Sequence, residues 1–209
     1  MHGDAVCDNP SGMQRRRRLF AYGIFLALCL GAAACSPRAS EGGATDITGV
    51  MPPLSFSMVR ANDGAPVDAA AYRGKTVLLY FGYTHCPDEC PTTLTDLGAA
   101  LKRLGPEADK VRVLFVTVDP ARDSVAVLRK YVHAFAPQID GLRGSDNAVA
   151  ALARRYRVLY AVTSAAPGRA YDVTHSDSLF MFDGSGRARL VTMSTDNSAA
   201  LAAEIRSLS

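Results

Sequence analysis

Cys86 and Cys90 stand four positions apart in Tyr80-Phe81-Gly82-Tyr83-Thr84-His85-Cys86-Pro87-Asp88-Glu89-Cys90-Pro91. Residues spaced this way share one face of a helix, so both sulfurs can point in the same direction. Two convergent thiolates form a soft donor pair of the kind Cu(I) prefers, whereas hard cations take oxygen. The same pair can close a disulfide or act as a redox dithiol in an oxidising compartment. Thioredoxin-type redox pairs have two intervening residues; here there are three, with Pro87 stiffening the link. A helix starting here offers free N–H groups and a positive dipole end, which lower a thiol pKa from about 8.5 toward neutrality. Pro91 suits a first turn because its missing N–H costs nothing there.

A third ligand would complete a trigonal metal site, and the chain has four histidines. His2 goes with the N-terminal leader. His133 lies beside the apolar stripe of a predicted helix and reads as a solvated surface residue. His85 directly precedes Cys86, and adjacent side chains do not easily face one metal. His175 follows Tyr171-Asp172-Val173-Thr174 just before a predicted strand; on its own it reads as a loop histidine, with ligation as the alternative.

The elements that must position these residues follow from hydrophobic pattern. Thr76–Phe81 and Val111–Val118 are continuous apolar runs, the mark of strands buried on both faces. Between them Leu94, Leu97, Leu101 and Leu104 recur at helical spacing, which makes a strand–helix–strand unit and hence a parallel pair. The cysteine pair falls where the first strand gives way to the helix, at a strand's carboxyl end, where ligands gather in parallel sheets. A second helix carries Val125, Leu128, Val132 and Phe135, opens at Asp123-Ser124 and stops before Pro137. A third runs from Ser145 to Tyr156. Ser178–Asp183 and Ala188–Met193 read as strands of a hairpin around Asp183-Gly184-Ser185-Gly186, and Leu201, Ile205 and Leu208 make a closing helix. The expected fold is α/β and thioredoxin-like: a central mixed sheet flanked by helices, with a C-terminal β-hairpin and a closing helix.

The 209 residues suit one well-buried domain. Arg15–Arg18, an uncharged 16-residue run from Leu19 to Ala34 and small residues up to Cys35 form a secretory-type signal over 1–34. The run is shorter than the roughly 20 residues of a usual spanning helix. Cys35 after small residues resembles the lipidated cysteine of a bacterial lipoprotein, although Ala32 stands where Leu is usual; an uncleaved N-terminal anchor is the alternative. Met13 would leave a signal of ordinary proportions. Residues 35–50, rich in Gly, Ser, Ala and Thr, read as a flexible tether, leaving 51–209 as the folded domain. Either anchoring puts the domain outside the cytoplasm. The formal charge is +3. The leader holds four arginines against Asp4 and Asp8, so the domain is nearly neutral and lacks a footprint for nucleic acid. With Cys7 and Cys29 in the leader and Cys35 at the lipidation position, Cys86 and Cys90 are the only cysteines left to the domain.

Three blocks together resemble the Sco/SenC family of copper-delivery proteins: Phe81 to Pro91, Thr117-Val118-Asp119-Pro120-Ala121-Arg122-Asp123, and Tyr171-Asp172-Val173-Thr174-His175-Ser176. They occur in the family's order, and the resemblance covers roughly residues 50–209. It implies a thioredoxin fold binding one copper, Cu(I) or Cu(II), through Cys86, Cys90 and His175. Asp119 matches a family aspartate near the site, with an outer-shell or docking role; read alone, it is an Asp-Pro helix-start residue. The implied task is to supply copper to the dinuclear centre of cytochrome c oxidase, or to reduce that centre's cysteines. The implied partners are the oxidase subunit carrying that centre and other periplasmic copper chaperones or thiol reductants. The implied location is the periplasmic face of the inner membrane. The rivals are a thiol–disulfide reductase, which needs no His175, and a copper or redox sensor with no delivery role.

Overall fold

The apolar runs occupy the middle of a sheet in the computed structural model, which describes residues 43–163 and 171–209. The strands among these are β1 (Thr45–Asp46), β2 (Ser57–Arg60), β3 (Pro66–Asp68), β4 (Thr76–Gly82), β5 (Val111–Thr117), β6 (Ile139–Arg143), β7 (Tyr160–Thr163), β8 (Asp172–His175), β9 (Leu179–Phe182) and β10 (Ala188–Thr192). The α-helices are α1 (Glu89–Leu104), α2 (Val125–His133), α3 (Asp146–Arg155) and α4 (Ser198–Arg206). Eight strands form one mixed sheet in the order β1-β10-β9-β4-β5-β6-β2-β3, and β7 and β8 form a separate antiparallel ribbon. The central strands β4, β5 and β6 run parallel, and β9 joins β4 antiparallel.

Every residue of β4 is buried, because helices cover both faces of the sheet. Leu78 and Tyr80 point to one side with Val113 and Phe115, against Leu94, Leu97 and Leu101 of α1, Leu128 of α2 and Ile205 of α4. Val77, Leu79 and Phe81 point to the other, with Leu114 and Val116, against Val149 and Leu152 of α3 and Tyr156. Burying a large apolar side chain contributes roughly 1.5–3 kcal/mol, so these two layers are the main force holding β4 and α1 together. The expected mixed sheet, terminal hairpin (β9–β10) and closing helix (α4) are all present.

Four features differ from the sequence reading. The tether expected over 35–50 contributes β1, which pairs antiparallel with β10, and Ala44 and Ile47 beside it are buried. Its small polar residues carry no apolar period, and the pairing comes from the open edge of β10. Strands β2, β3 and β6 were not legible, being short and lacking a two-residue alternation. Asp123 does not cap α2. Ser124 does, accepting from the Val127 N–H, while Asp123 is fully buried and serves the site below. His175 is not in a loop but ends β8, where Tyr160 stands opposite it. Among the described residues, no helix is long and apolar enough to cross a membrane.

Candidate metal site

Cys86 lies in the loop after β4 and Cys90 in the first turn of α1. The chain leaves β4 at Gly82, where a side chain cannot be accommodated: a Cβ there would lie 2.6 Å from Phe115 Cε2 and 2.8 Å from Cys90 Sγ. The loop then turns, with the Cys86 N–H donating to the Tyr83 carbonyl at 3.3 Å. The Cys90 N–H donates to Cys86 Sγ at 3.3 Å, so the helix start does present a backbone donor to the first sulfur. Both thiols are free; Cys86 is half-buried and Cys90 fully buried.

His175 comes from 85 residues further along, on β8, yet its Nε2 lies 3.2 Å from Cys90 Sγ. One donor atom from each of Cys86, Cys90 and His175 lies within 4.8 Å of the other two. The imidazole side chain is only 3% exposed. Tyr80 and Tyr83 hold it edge-on from two sides, each with a ring centroid 6.0 Å away. Its Nδ1 lies 3.2 Å from the Ser176 carbonyl, a contact that uses a proton on Nδ1 and turns the Nε2 lone pair toward the sulfurs. Cys86 and His175 line a cleft of about 450 Å³ together with Tyr83, Pro87, Asp88, Glu89 and Asp177 among others, and Cys90 lies buried behind them.

The expectation of a lowered thiol pKa fails for Cys90. Burial pushes that thiol well above its ordinary value, although the backbone at Tyr83 pulls the other way. Desolvation outweighs the hydrogen bonds that reach this sulfur from the Tyr83 backbone and the Tyr80 hydroxyl. The Tyr80 hydroxyl, 3.9 Å from Cys90 Sγ, is itself raised by the same burial. Two sulfurs and one imidazole nitrogen, with no carboxylate in the group, form a donor set that suits a soft cation and fits copper in either oxidation state.

The other candidates lie elsewhere. His85 turns away from the donor group: its Nδ1 lies 3.1 Å from Thr84 Oγ1 and 3.7 Å from Asp123 Oδ1. His133 is exposed on α2. Cys35 falls outside the described residues. Asp119 is buried but outside the donor group; it accepts the Tyr171 hydroxyl at 2.6 Å and pairs with the Arg122 guanidinium. Sequence reasoning missed Tyr80 and Tyr83 as the walls around His175, since both read as ordinary strand-end aromatics.

A thioredoxin-like sheet whose first crossover carries two cysteines, with a histidine brought to them from a distant strand, defines a class of dithiol–imidazole proteins. The SCO1/SenC family profile matches residues 53–209, and the chain belongs to that family. It is 42% identical over 125 residues to the mitochondrial SCO2 homolog of Mus musculus, covering 59% of this chain and 49% of that protein. The chain spans about half the length of the mammalian curated relatives it matches, 45–52% of each. Among solved structures it resembles copper-bound ScoI of Bradyrhizobium japonicum, with TM-score 0.68 and 31% identity over 75% of this chain and 99% of that one. The metal-free Sco1 of Thermus thermophilus is similar too, with TM-score 0.68 and 35% identity over 75% and 91% of the two chains.

Proposed function

We propose that this chain binds one copper ion through Cys86, Cys90 and His175 and hands it on as cargo to the dinuclear copper centre of a cytochrome c oxidase during assembly. The observation that carries the reading is the convergence of the three donor atoms within 4.8 Å, one of them from a strand 85 residues away. Copper-bound relatives of the same fold at about 31% identity support it. The thiolates supply softness for Cu(I), and a neutral imidazole also accepts Cu(II). Structural zinc sites are closed by four ligands, and three donors form an incomplete shell. Such a shell suits a donor protein, because an acceptor's ligand can enter before the original ones leave. Transfer then proceeds by ligand exchange within a docked complex. The leader and Cys35 support anchoring at the outer face of the cytoplasmic membrane, by lipid or by the N-terminal segment. Other copper chaperones or thiol reductants are the partners such a cycle needs upstream.

One observation favours a second activity on the same residues: Cys86 is half-buried while Cys90 is wholly buried. In a thiol–disulfide exchange the accessible Cys86 thiolate attacks a partner disulfide, forming a mixed disulfide and releasing one partner thiolate. Cys90 then attacks Cys86 Sγ, leaving a Cys86–Cys90 disulfide and a second reduced partner sulfur.

The two activities separate by experiment. Adding Cu(II) to reduced protein should produce a thiolate-to-copper charge-transfer band that vanishes in Cys86→Ser. His175→Ala should weaken copper binding by at least about 100-fold, since even outer partners of a ligand are worth 10–100-fold, while leaving thiol exchange intact. Full copper binding in His175→Ala would refute the three-donor site.

A further inference from the structure

The segments that bring the three donors together have separate origins, one after β4 and one at β8, yet both are fastened to the same turn between β5 and α2. Asp123 in that turn accepts the Thr84 N–H at 3.0 Å and the Thr84 hydroxyl at 2.6 Å, which ties down the loop two residues before Cys86. It also accepts the Thr117 hydroxyl at 2.6 Å, at the end of β5. The same Thr117 oxygen accepts the Asp119 N–H at 3.0 Å. Asp119 in turn accepts the Tyr171 hydroxyl at 2.6 Å, four residues before His175. Arg122 closes the arrangement. It pairs with Asp119, donates from Nη1 to the Tyr171 carbonyl at 3.3 Å, and lays its guanidinium 3.9 Å from the centroid of the Tyr171 ring. On its other side it lies 5.7 Å from the centroid of Tyr83, the ring that walls His175.

From this geometry we infer that Asp119, Arg122 and Tyr171 form a clamp that sets the reach of His175 toward the cysteine pair; the inference rests on the three-donor reading. Asp119 is a positioning residue: it touches neither sulfur nor imidazole and acts through the head of β8. Among the described residues β8 has only β7 as a ladder partner, so no main-sheet register fixes the ribbon; Val173 anchors its middle in the core, and the head of β8 at Tyr171 and Asp172 is left to the clamp. A two-stranded ribbon alone is marginal in water. Hydrogen bonds within a carboxylate–guanidinium pair are short and strong, and here they join the ribbon to the turn that also holds the cysteine loop. A shift of the ribbon would leave two sulfurs in place and remove the nitrogen, turning a three-donor site into a two-donor one.

The test uses Tyr171→Phe, which deletes the hydroxyl and keeps the stacked ring, so that the fold survives. Cu(I) affinity is measured by competition with a chelator in four proteins: the parent, Tyr171→Phe, His175→Ala and the double variant. The clamp predicts about tenfold weaker binding in Tyr171→Phe, as is usual for an outer partner of a ligand, and no further loss when the same change is made in His175→Ala. Arg122→Lys, which keeps the charge but not the planar fork, should fall between the parent and Tyr171→Phe. In metal-free protein, nuclear Overhauser contacts from the His175 ring to the Tyr80 and Tyr83 rings should weaken in Tyr171→Phe. Equal losses in both backgrounds, or ring contacts retained in full, would overturn the clamp. If His175→Ala alone left copper affinity unchanged, the three-donor reading would fall, and the metal-free ring contacts would still judge the clamp.

Discussion

At the residue scale the site depends on one missing side chain as much as on those present. Gly82 leaves the space that Cys90 Sγ and the Phe115 ring fill. Both are buried without slack, so an added methyl displaces a sulfur or strains the sheet. Gly82→Ala should therefore destabilise the protein by about 1–3 kcal/mol, the usual result of overpacking a core, and should also weaken copper binding. Urea unfolding reads the first effect and chelator competition the second. The cysteines and His175 were legible from residue type and from the resemblance, because their chemistry is carried by the side chain itself. The role of Gly82 was not, since an excluded volume exists only once Phe115 and α1 have packed against β4. Asp123 was misread for a related reason: its position before a helix is a cap signature, and only tertiary contact brings Thr84 and Thr117 to it.

At the scale of elements, the edge strand β1 shows how a polar stretch can be structural. Ile47 beside it is 8% exposed, packed in the layer that contains Leu54 and Phe182. Ile47→Ala should lower stability by about 2 kcal/mol or more, whereas the same change in a free tether would be neutral. Thermal melting distinguishes the two. Strand β6 carries a second testable feature. Asp140 is buried there, and its carboxylate accepts the Tyr72 hydroxyl at 2.8 Å. Burial pushes the Asp140 carboxyl up, with the Tyr72 hydrogen bond and Arg60 opposing it. The native protein thus holds that proton more tightly than the unfolded chain does. Between the ordinary carboxyl value and the raised one, the unfolded state binds fewer protons, so this group's contribution to stability falls as pH rises. Asp140→Asn removes the effect. The difference in unfolding free energy, parent minus variant, should decline from acid pH through that window and level off above it, as read by denaturant titrations across the range.

At the scale of the whole molecule, binding and folding are linked. The nitrogen and the two sulfurs meet only in the native state, so an ion that needs all three stabilises the fold by mass action. At a free copper concentration about 100 times the dissociation constant the gain is about 2.7 kcal/mol. For a domain of this size that corresponds to a rise in Tm of roughly 5–10 °C. Calorimetry of the reduced protein should show the rise, a chelator should reverse it, and His175→Ala should reduce it. No shift at saturating copper would argue against a site of useful affinity. The sulfurs bear unequally on such measurements: the buried Cys90 is reluctant to ionise without a metal, and Cys86 meets the solvent first.

The amino-acid sequence alone determined the buried strands, the covering helices, the closing hairpin and the soft chemistry of Cys86 and Cys90. Those properties reside in local composition and in spacings of two, three and four residues, which a chain expresses before it folds. Tertiary structure decided that His175 meets the sulfurs, that Tyr80 and Tyr83 wall it in, and that Asp119 and Asp123 hold both segments to one turn. Each of these joins residues tens of positions apart, and such contacts arise from layer packing and strand order, which no local pattern encodes.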